Sequence, residues 1–83
     1  MTAGKSIHIQ YYAALREAAG RGEETVTSSA GTAADLYREV ARLRDIPYDL
    51  ACLTVALNDQ VVPWSSPVSD GDTVVFLAPY AGG

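Results

Sequence analysis

One long amphipathic segment, residues 32–44, most constrains what this chain can fold into. Its apolar residues recur at three-and-four spacing, which predicts one apolar helical stripe: Ala33, Leu36, Tyr37, Val40 and Leu43. Thr32 and Asp35 fit an N-terminal capping pattern, and Pro47 prevents continuation of the helix. In a two-layer α+β domain, one such helix covers one face of a sheet.

The segments around this helix carry strand signals. Residues 5–12 alternate, with Ile7, Ile9 and Tyr11 on one face, as in a half-buried strand. Residues 13–19 predict one or two helical turns that stop at Gly20. The other predicted strands are residues 23–27, 53–57, 61–62 and 73–78. The last of these is apolar on both faces, which is typical of a central strand.

These elements predict an α+β fold: a mixed sheet of about five strands, covered on one face by one main helix. The other face of the sheet is then partly bare. Val75 and Leu77, with Tyr12 at the end of the first strand, form an exposed apolar patch there. Such a patch commonly marks a site for a partner protein.

Charge and composition exclude several function classes. Ten acidic residues against six basic ones give a formal net charge of -4 at pH 7, which excludes a general electrostatic nucleic-acid binder. The single cysteine excludes a disulfide framework and a cysteine-rich metal site. No apolar run reaches the roughly 18 residues of a membrane span, and the N-terminus lacks a signal-peptide layout. We therefore expect a cytoplasmic protein without a membrane or nucleic-acid partner.

No group of side chains makes a self-sufficient active site. His8 is interpreted as an ordinary sheet histidine without an evident partner residue, and Cys52 as a small buried hydrophobe at the start of a strand. Asp70 and Asp72 flank a glycine and are explained by turn chemistry. Trp64 is either a partner anchor or a lid on the edge of the core.

The chain ends in Gly82 and Gly83, which follow the last strand through only Pro79, Tyr80 and Ala81. Glycine has no side chain, so such a tail can thread a narrow channel. This arrangement suits a chain whose own C-terminal carboxylate is the reactive group. A carboxylate must first be activated, for instance as an acyl-adenylate, before a sulfur or nitrogen nucleophile can attack it.

Four segments together resemble the MoaD/ThiS family of ubiquitin-like sulfur carriers, and within it the small subunits of molybdopterin synthase. They are residues 11–20, 55–58, 68–74 and 76–83. The most specific combination is the aromatic-Ala-x-Leu-Arg-Glu opening at residues 12–17 with the Pro-x-x-Gly-Gly ending. The resemblance covers nearly the whole chain, from Ser6 to Gly83.

The resemblance implies a β-grasp domain, residues 1–78, followed by a flexible tail, residues 79–83. An activating enzyme using ATP and magnesium would adenylate Gly83 and, with a sulfur donor, convert it to a thiocarboxylate; no cofactor would be bound by this chain. The tail would then enter the large subunit of molybdopterin synthase, in a heterotetramer. There the sulfur would help convert cyclic pyranopterin monophosphate to molybdopterin.

The resemblance also assigns site residues. Gly83 carries the sulfur and Gly82 precedes it, while six positions match the contact surface for the large subunit: Tyr12, Val61, Leu77, Pro79, Tyr80 and Ala81. Two positions depart from the family pattern. Ala78 stands where proline is common, and Tyr80 is bulkier than the usual aliphatic residue.

Three other functions remain open. The chain could carry sulfur for thiamine or another sulfur metabolite, although those carriers are typically shorter. It could be a ubiquitin-like modifier that forms isopeptide bonds with lysines. It could also be a β-grasp interaction module without tail chemistry, which should keep its function when Gly83 is deleted.

Overall fold

The computed structural model describes residues 4–78. Every predicted strand and helix is present, with bounds within one residue of those expected. The elements are β1 (Lys5–Tyr11), α1 (Ala13–Ala19), β2 (Glu23–Ser28), α2 (Ala33–Arg44), a 3-10 turn (Leu50–Cys52), β3 (Thr54–Leu57), β4 (Gln60–Val62) and β5 (Thr73–Leu77).

The five strands form one mixed sheet in the order β2-β1-β5-β3-β4. β5 runs parallel to β1 and antiparallel to β3, and the two outer pairs are antiparallel. The central position predicted for the last strand is therefore confirmed. One face of the sheet packs against α2 and α1, and the other face, here called the open face, carries no helix among the described residues.

Local signals define α2 at both ends. The Oγ1 atom of Thr32 accepts a hydrogen bond from the backbone N–H of Asp35 at 3.2 Å, as the capping pattern predicts. The helix ends at Asp45, which adopts the left-handed conformation with φ 54°. Four of the five stripe residues are buried as predicted.

Leu43 is the exception, because its side chain is 58% exposed. The last turn of α2 lies over the outer strand β2, where Arg44 binds Glu24. Leu43 consequently lines an open groove beside β2 instead of the core. The prediction that it belongs to the buried stripe is wrong.

The interpretation of Cys52 is also wrong. Residues Leu50–Cys52 form a 3-10 turn before β3, and Cys52 is exposed. Leu53, the next residue, is only 8% exposed and provides the apolar contact that had been assigned to the cysteine.

Within residues 4–78, no helix is both long and apolar enough to cross a bilayer.

Candidate functional site

β1 and β5 are neighbours in the sheet and end side by side. Tyr11 and Phe76 are partners in the parallel β1–β5 pair, so the C-terminal ends of β1 and β5 lie side by side. The described chain stops at Ala78, one residue beyond β5. The predicted tail residues lie outside the described part of the chain: Pro79, Tyr80, Ala81, Gly82 and Gly83.

Apolar residues lie on the open face near these strand ends. Val61 is the register partner of Ala56, which is in turn the partner of Val75. Leu77 lies two residues beyond Val75 on β5, so it points to the same face. Val61 is 70% exposed, while Val75 and Leu77 are half-buried.

Tyr12 completes this surface. Its hydroxyl donates to Oε1 of Gln10 at 3.4 Å, and Gln10 is the β1 partner of Val75. The ring of Tyr12 is 52% exposed. We call Tyr12, Ala56, Val61, Val75 and Leu77 the open-face patch. The structure thus places on one face the three predicted contact residues that it describes.

Ala56 is the one member of the patch that the sequence interpretation did not name. Its neighbours Val55 and Leu57 form the core-facing side of β3. The same alternation places Ala56 on the open face, next to Val61 and Val75. A small residue there leaves the larger side chains on either side accessible, although Ala56 itself is only 8% exposed.

On the opposite side of β5, three aromatic rings hold the strand that leads to the tail. Phe76 is fully buried and meets Tyr37 of α2 edge-on, with ring centroids 5.0 Å apart. It stacks on Trp64 with centroids 6.0 Å apart. The Nε1–H of Trp64 donates to the carbonyl of Leu53 at 3.2 Å. Trp64 is therefore a lid on the edge of the core, one of the two roles considered for it.

A second buried cluster fixes the end of β1. The Tyr11 hydroxyl donates to Oε2 of Glu24 at 2.5 Å, and Nε of Arg44 donates to the same oxygen at 3.0 Å. These bonds lower the pKa of Glu24 below its usual range, with the Arg44 hydrogen bond as the largest cause. Burial, and then the Glu24 hydrogen bond, raise the pKa of Tyr11. At neutral pH, Glu24 therefore stays ionised and the Tyr11 hydroxyl stays protonated. The cluster ties α2 to β1 and β2.

The remaining polar candidates have structural partners. Nε2 of His8 lies 2.9 Å from Oε1 of Glu23, and Nδ1 lies 3.4 Å from the Thr25 hydroxyl. The histidine is a sheet residue as predicted, but the expectation that it lacks a partner is wrong. Asp72 accepts bonds from Ser69 N–H and from the Asn58 side chain, which confirms its turn role.

The described residues combine an exposed apolar patch with polar side chains that have structural partners. Among residues 4–78, no cluster of three metal-ligating side chains occurs. The described residues offer a strand end that packs on aromatic rings on one face and carries the open-face patch on the other. Such a surface can orient whatever follows β5 against a partner protein.

The sequence and the fold were compared with known proteins. A model of the ThiS family matches residues 9–83. No curated protein sequence matches this chain significantly.

Solved structures match over nearly the whole chain. A protein described as molybdopterin converting factor subunit 1, from Pyrococcus furiosus, is 26% identical with a TM-score of 0.76 and covers 90% of this chain and 98% of its own. Small archaeal modifier protein 1 from Methanosarcina acetivorans is 17% identical, with a TM-score of 0.76 and coverage of 99% and 100%. Subunits 1 and 2 of the molybdopterin-converting factor from Helicobacter pylori form a complex that includes a chain 19% identical to this one, with a TM-score of 0.65 and coverage of 94% and 99%.

These likenesses confirm the β-grasp, ubiquitin-like fold that the sequence predicts. The family model extends from β1 to the terminal glycine and so spans most of the chain. The chain belongs to the ThiS family.

Proposed function

We propose that this chain is the sulfur-carrier subunit of a molybdopterin synthase. The observation that carries the proposal is the match to the ThiS family model, which extends from residue 9 to residue 83. The 26% identity to the Pyrococcus molybdopterin converting factor subunit 1 favours the molybdopterin branch.

The chemistry takes place at the carboxylate of Gly83. That carboxylate attacks the α-phosphate of ATP, held with magnesium on an activating enzyme, and pyrophosphate leaves. Sulfide derived from a sulfur donor then attacks the acyl carbon and displaces AMP, which leaves a thiocarboxylate. Hydrolysis of this group during transfer delivers one sulfur atom to cyclic pyranopterin monophosphate and regenerates the carboxylate.

The open-face patch is the proposed contact for the large subunit. Its side chains are apolar and flank the edge from which the tail departs, so one partner can bind the patch and receive residues 79–83. The Helicobacter complex shows that subunits 1 and 2 of that factor associate. For this chain we propose the same pairing, in a heterotetramer. The tail residues that would enter the large subunit ahead of Gly83 are Pro79, Tyr80, Ala81 and Gly82.

A sulfur-transfer assay tests the proposal. The thiocarboxylated chain is mixed with a large subunit and cyclic pyranopterin monophosphate, and the pterin is analysed by mass spectrometry. We expect the pterin to gain two sulfur atoms while two carriers return to the carboxylate. The chain lacking Gly83, checked for its fold by circular dichroism, serves as the control that cannot transfer sulfur. A pterin without sulfur, in an assay where an established carrier works, contradicts the proposal.

A second candidate is a ubiquitin-like modifier, favoured by the structural match to small archaeal modifier protein 1. A modifier would use the same activated carboxylate, but a lysine amine would displace AMP and form an isopeptide bond. Peptide mass spectrometry of cell extracts expressing the chain separates the two. Lysines that carry the terminal residues of this chain indicate conjugation.

Sulfur transfer to a thiamine precursor, and not to the pterin, would indicate the remaining alternative of a carrier for thiamine or another metabolite.

A further inference from the structure

We propose that the outer edge of β2 is a homodimerisation site, at which β2 pairs antiparallel with β2 of a second copy of this chain about a two-fold axis through Thr25. The pairing would join two five-stranded sheets into one of ten strands. It uses the edge of the sheet farthest from β4, and it does not depend on the tail chemistry proposed above.

The register of β2 determines which of its backbone groups face outward. The N–H of Tyr11 donates to the carbonyl of Gly22 at 2.8 Å, so residue 22 turns its backbone polar groups toward β1. In an antiparallel pair this orientation alternates along the strand. Residues 24, 26 and 28 therefore bond β1, while Glu23, Thr25 and Thr27 turn three N–H and three C=O groups to the outside.

Nothing within residues 4–78 pairs with this outward edge. The only strand partner of β2 is β1, and no backbone hydrogen bond from another segment reaches Glu23, Thr25 or Thr27. All three residues are exposed. The edge is six residues long, whereas the opposite edge strand β4 has three. Proteins usually protect so long an edge, because its free donors and acceptors form a template for another strand.

The sequence of β2 is complementary to itself about Thr25. In that register Thr25 faces its own copy, and Glu23 faces Thr27, so all three outward residues are paired and six hydrogen bonds form. No like charges are directly opposite each other, and threonine pairs across strands are favourable. If the axis passes through Glu24 or Val26 instead, only two of the three outward residues are paired within the strand. An axis through Glu24 also places the Glu24 carboxylates of the two copies directly opposite each other.

A groove with both apolar and charged lining residues lies beside β2, on the helix side of the sheet. Its volume is about 860 Å³, and its lining includes Val26, Val40 and Leu43. Leu43 is 58% exposed there although it belongs to the apolar stripe of α2. In the register about Thr25, the helix-side residue opposite Val26 is Glu24 of the second copy.

Charge sets the expected salt dependence. The carboxylates of the edge already have partners, since Glu23 lies 2.9 Å from His8 and Glu24 binds Arg44. Each copy nevertheless carries a formal net charge of -4, so two copies repel one another at long range. Salt screens this repulsion, and association should strengthen as the ionic strength rises.

Sedimentation equilibrium of the full chain, from micromolar to millimolar concentration, measures the association. The test variant is Thr25→Pro, which removes one outward N–H but no bond to β1. The matched control is Thr25→Ala, which loses the same side chain and keeps the N–H. Both are made in a Leu77→Lys background, so that the open-face patch does not associate. We expect a concentration-dependent dimer that Thr25→Pro weakens about tenfold or more and Thr25→Ala preserves.

Amide hydrogen exchange of the chain without a proline substitution identifies the edge directly, even if the proline variant fails to fold. At high concentration the amides of Glu23, Thr25 and Thr27 should gain protection, while those of Glu24 and Val26 are protected at every concentration. A chain that stays monomeric throughout overturns the proposal. So does a dimer that leaves the three outward amides unprotected. Neither result bears on sulfur transfer, which the assay of the preceding section tests separately.

Discussion

Tyr11 and Phe76 are register partners across the parallel β1–β5 pair, and both are buried, at 1% and 0% exposure. Because the two strands run in the same direction, Tyr12, just after β1, and Leu77, the last residue of β5, lie at the same end of the sheet. The buried side chains thus fix the position of the exposed ones. The surface at the end of β5 is positioned by the core and not by a loop.

The aromatic contacts of Phe76 predict a stability effect. Phe76→Leu keeps an apolar side chain but removes the edge-on contact with Tyr37 and the stack on Trp64, each worth about 0.5–1.5 kcal/mol. We expect the free energy of unfolding to fall by about 2 kcal/mol in urea denaturation. Val61→Ala, at an exposed position, should change it by less than about 0.5 kcal/mol. Equal effects of the two substitutions would contradict this account of the core.

The open-face patch predicts a binding effect. Leu77→Lys places a charge on the proposed contact surface while the core side of β5 stays unchanged. We expect an unaltered circular dichroism spectrum and an affinity for the large subunit that is lower by about tenfold or more, measured by titration calorimetry. Ser6→Lys adds the same charge at the far end of the same sheet face and should bind normally. Unchanged affinity of Leu77→Lys would remove the patch from the interface.

The Tyr11–Glu24–Arg44 cluster predicts a pH dependence of stability. The Arg44 hydrogen bond depresses the pKa of Glu24 below its ordinary value of 4.5. Its contribution is therefore complete above that value and is lost as the pH falls through the lower, folded-state pKa. Glu24→Gln should lower the free energy of unfolding by about 1–2 kcal/mol at pH 7, and the difference from the unsubstituted chain should shrink in acid.

The control for this prediction is Glu17→Gln on α1, where the side chain is exposed and forms no ion pair among the described residues. It should leave both the stability at pH 7 and its acid dependence close to those of the unsubstituted chain. Unfolding curves measured from pH 3 to pH 8 provide the comparison. A constant difference between Glu24→Gln and the unsubstituted chain over this range would mean that Glu24 is not held ionised by Arg44.

Two neighbouring alanines should respond oppositely to glycine. Ala13 has φ 51°, in the left-handed region that disfavours side chains, whereas Ala14 lies in the ordinary part of α1. Ala13→Gly should raise the free energy of unfolding by about 0.5–1 kcal/mol, because glycine adopts this conformation without a steric cost. Ala14→Gly should lower it by about 1 kcal/mol. Thermal denaturation of the pair decides, and destabilisation by both would show that Ala13 is not strained.

Signals within one segment of the sequence were sufficient for most of the fold. Thr32 and Asp35 predicted the start of α2, and the two-sided apolar pattern of the last strand predicted its central position. Both signals depend on neighbours along the chain or on the faces of one strand. They retain their meaning whatever the rest of the molecule does.

The errors concern contacts between distant segments. Leu43 fits the helical period, but its burial depends on whether the sheet extends under the last turn of α2. The partners of His8 come from β2, and the β1–β2 register that brings them together could not be deduced from β1 alone. Cys52 precedes an apolar strand, yet a 3-10 turn turns it outward. In the candidate site, Ala56 was missed because a small residue gives little signal of its own.

The most direct test of the central claim is the intact mass of the chain after incubation with ATP, magnesium, sulfide and its activating enzyme. The account predicts a gain equal to the exchange of one oxygen for one sulfur, dependent on ATP and localised to Gly83 by fragmentation. An unchanged mass, with an enzyme that modifies a known carrier under the same conditions, would contradict it.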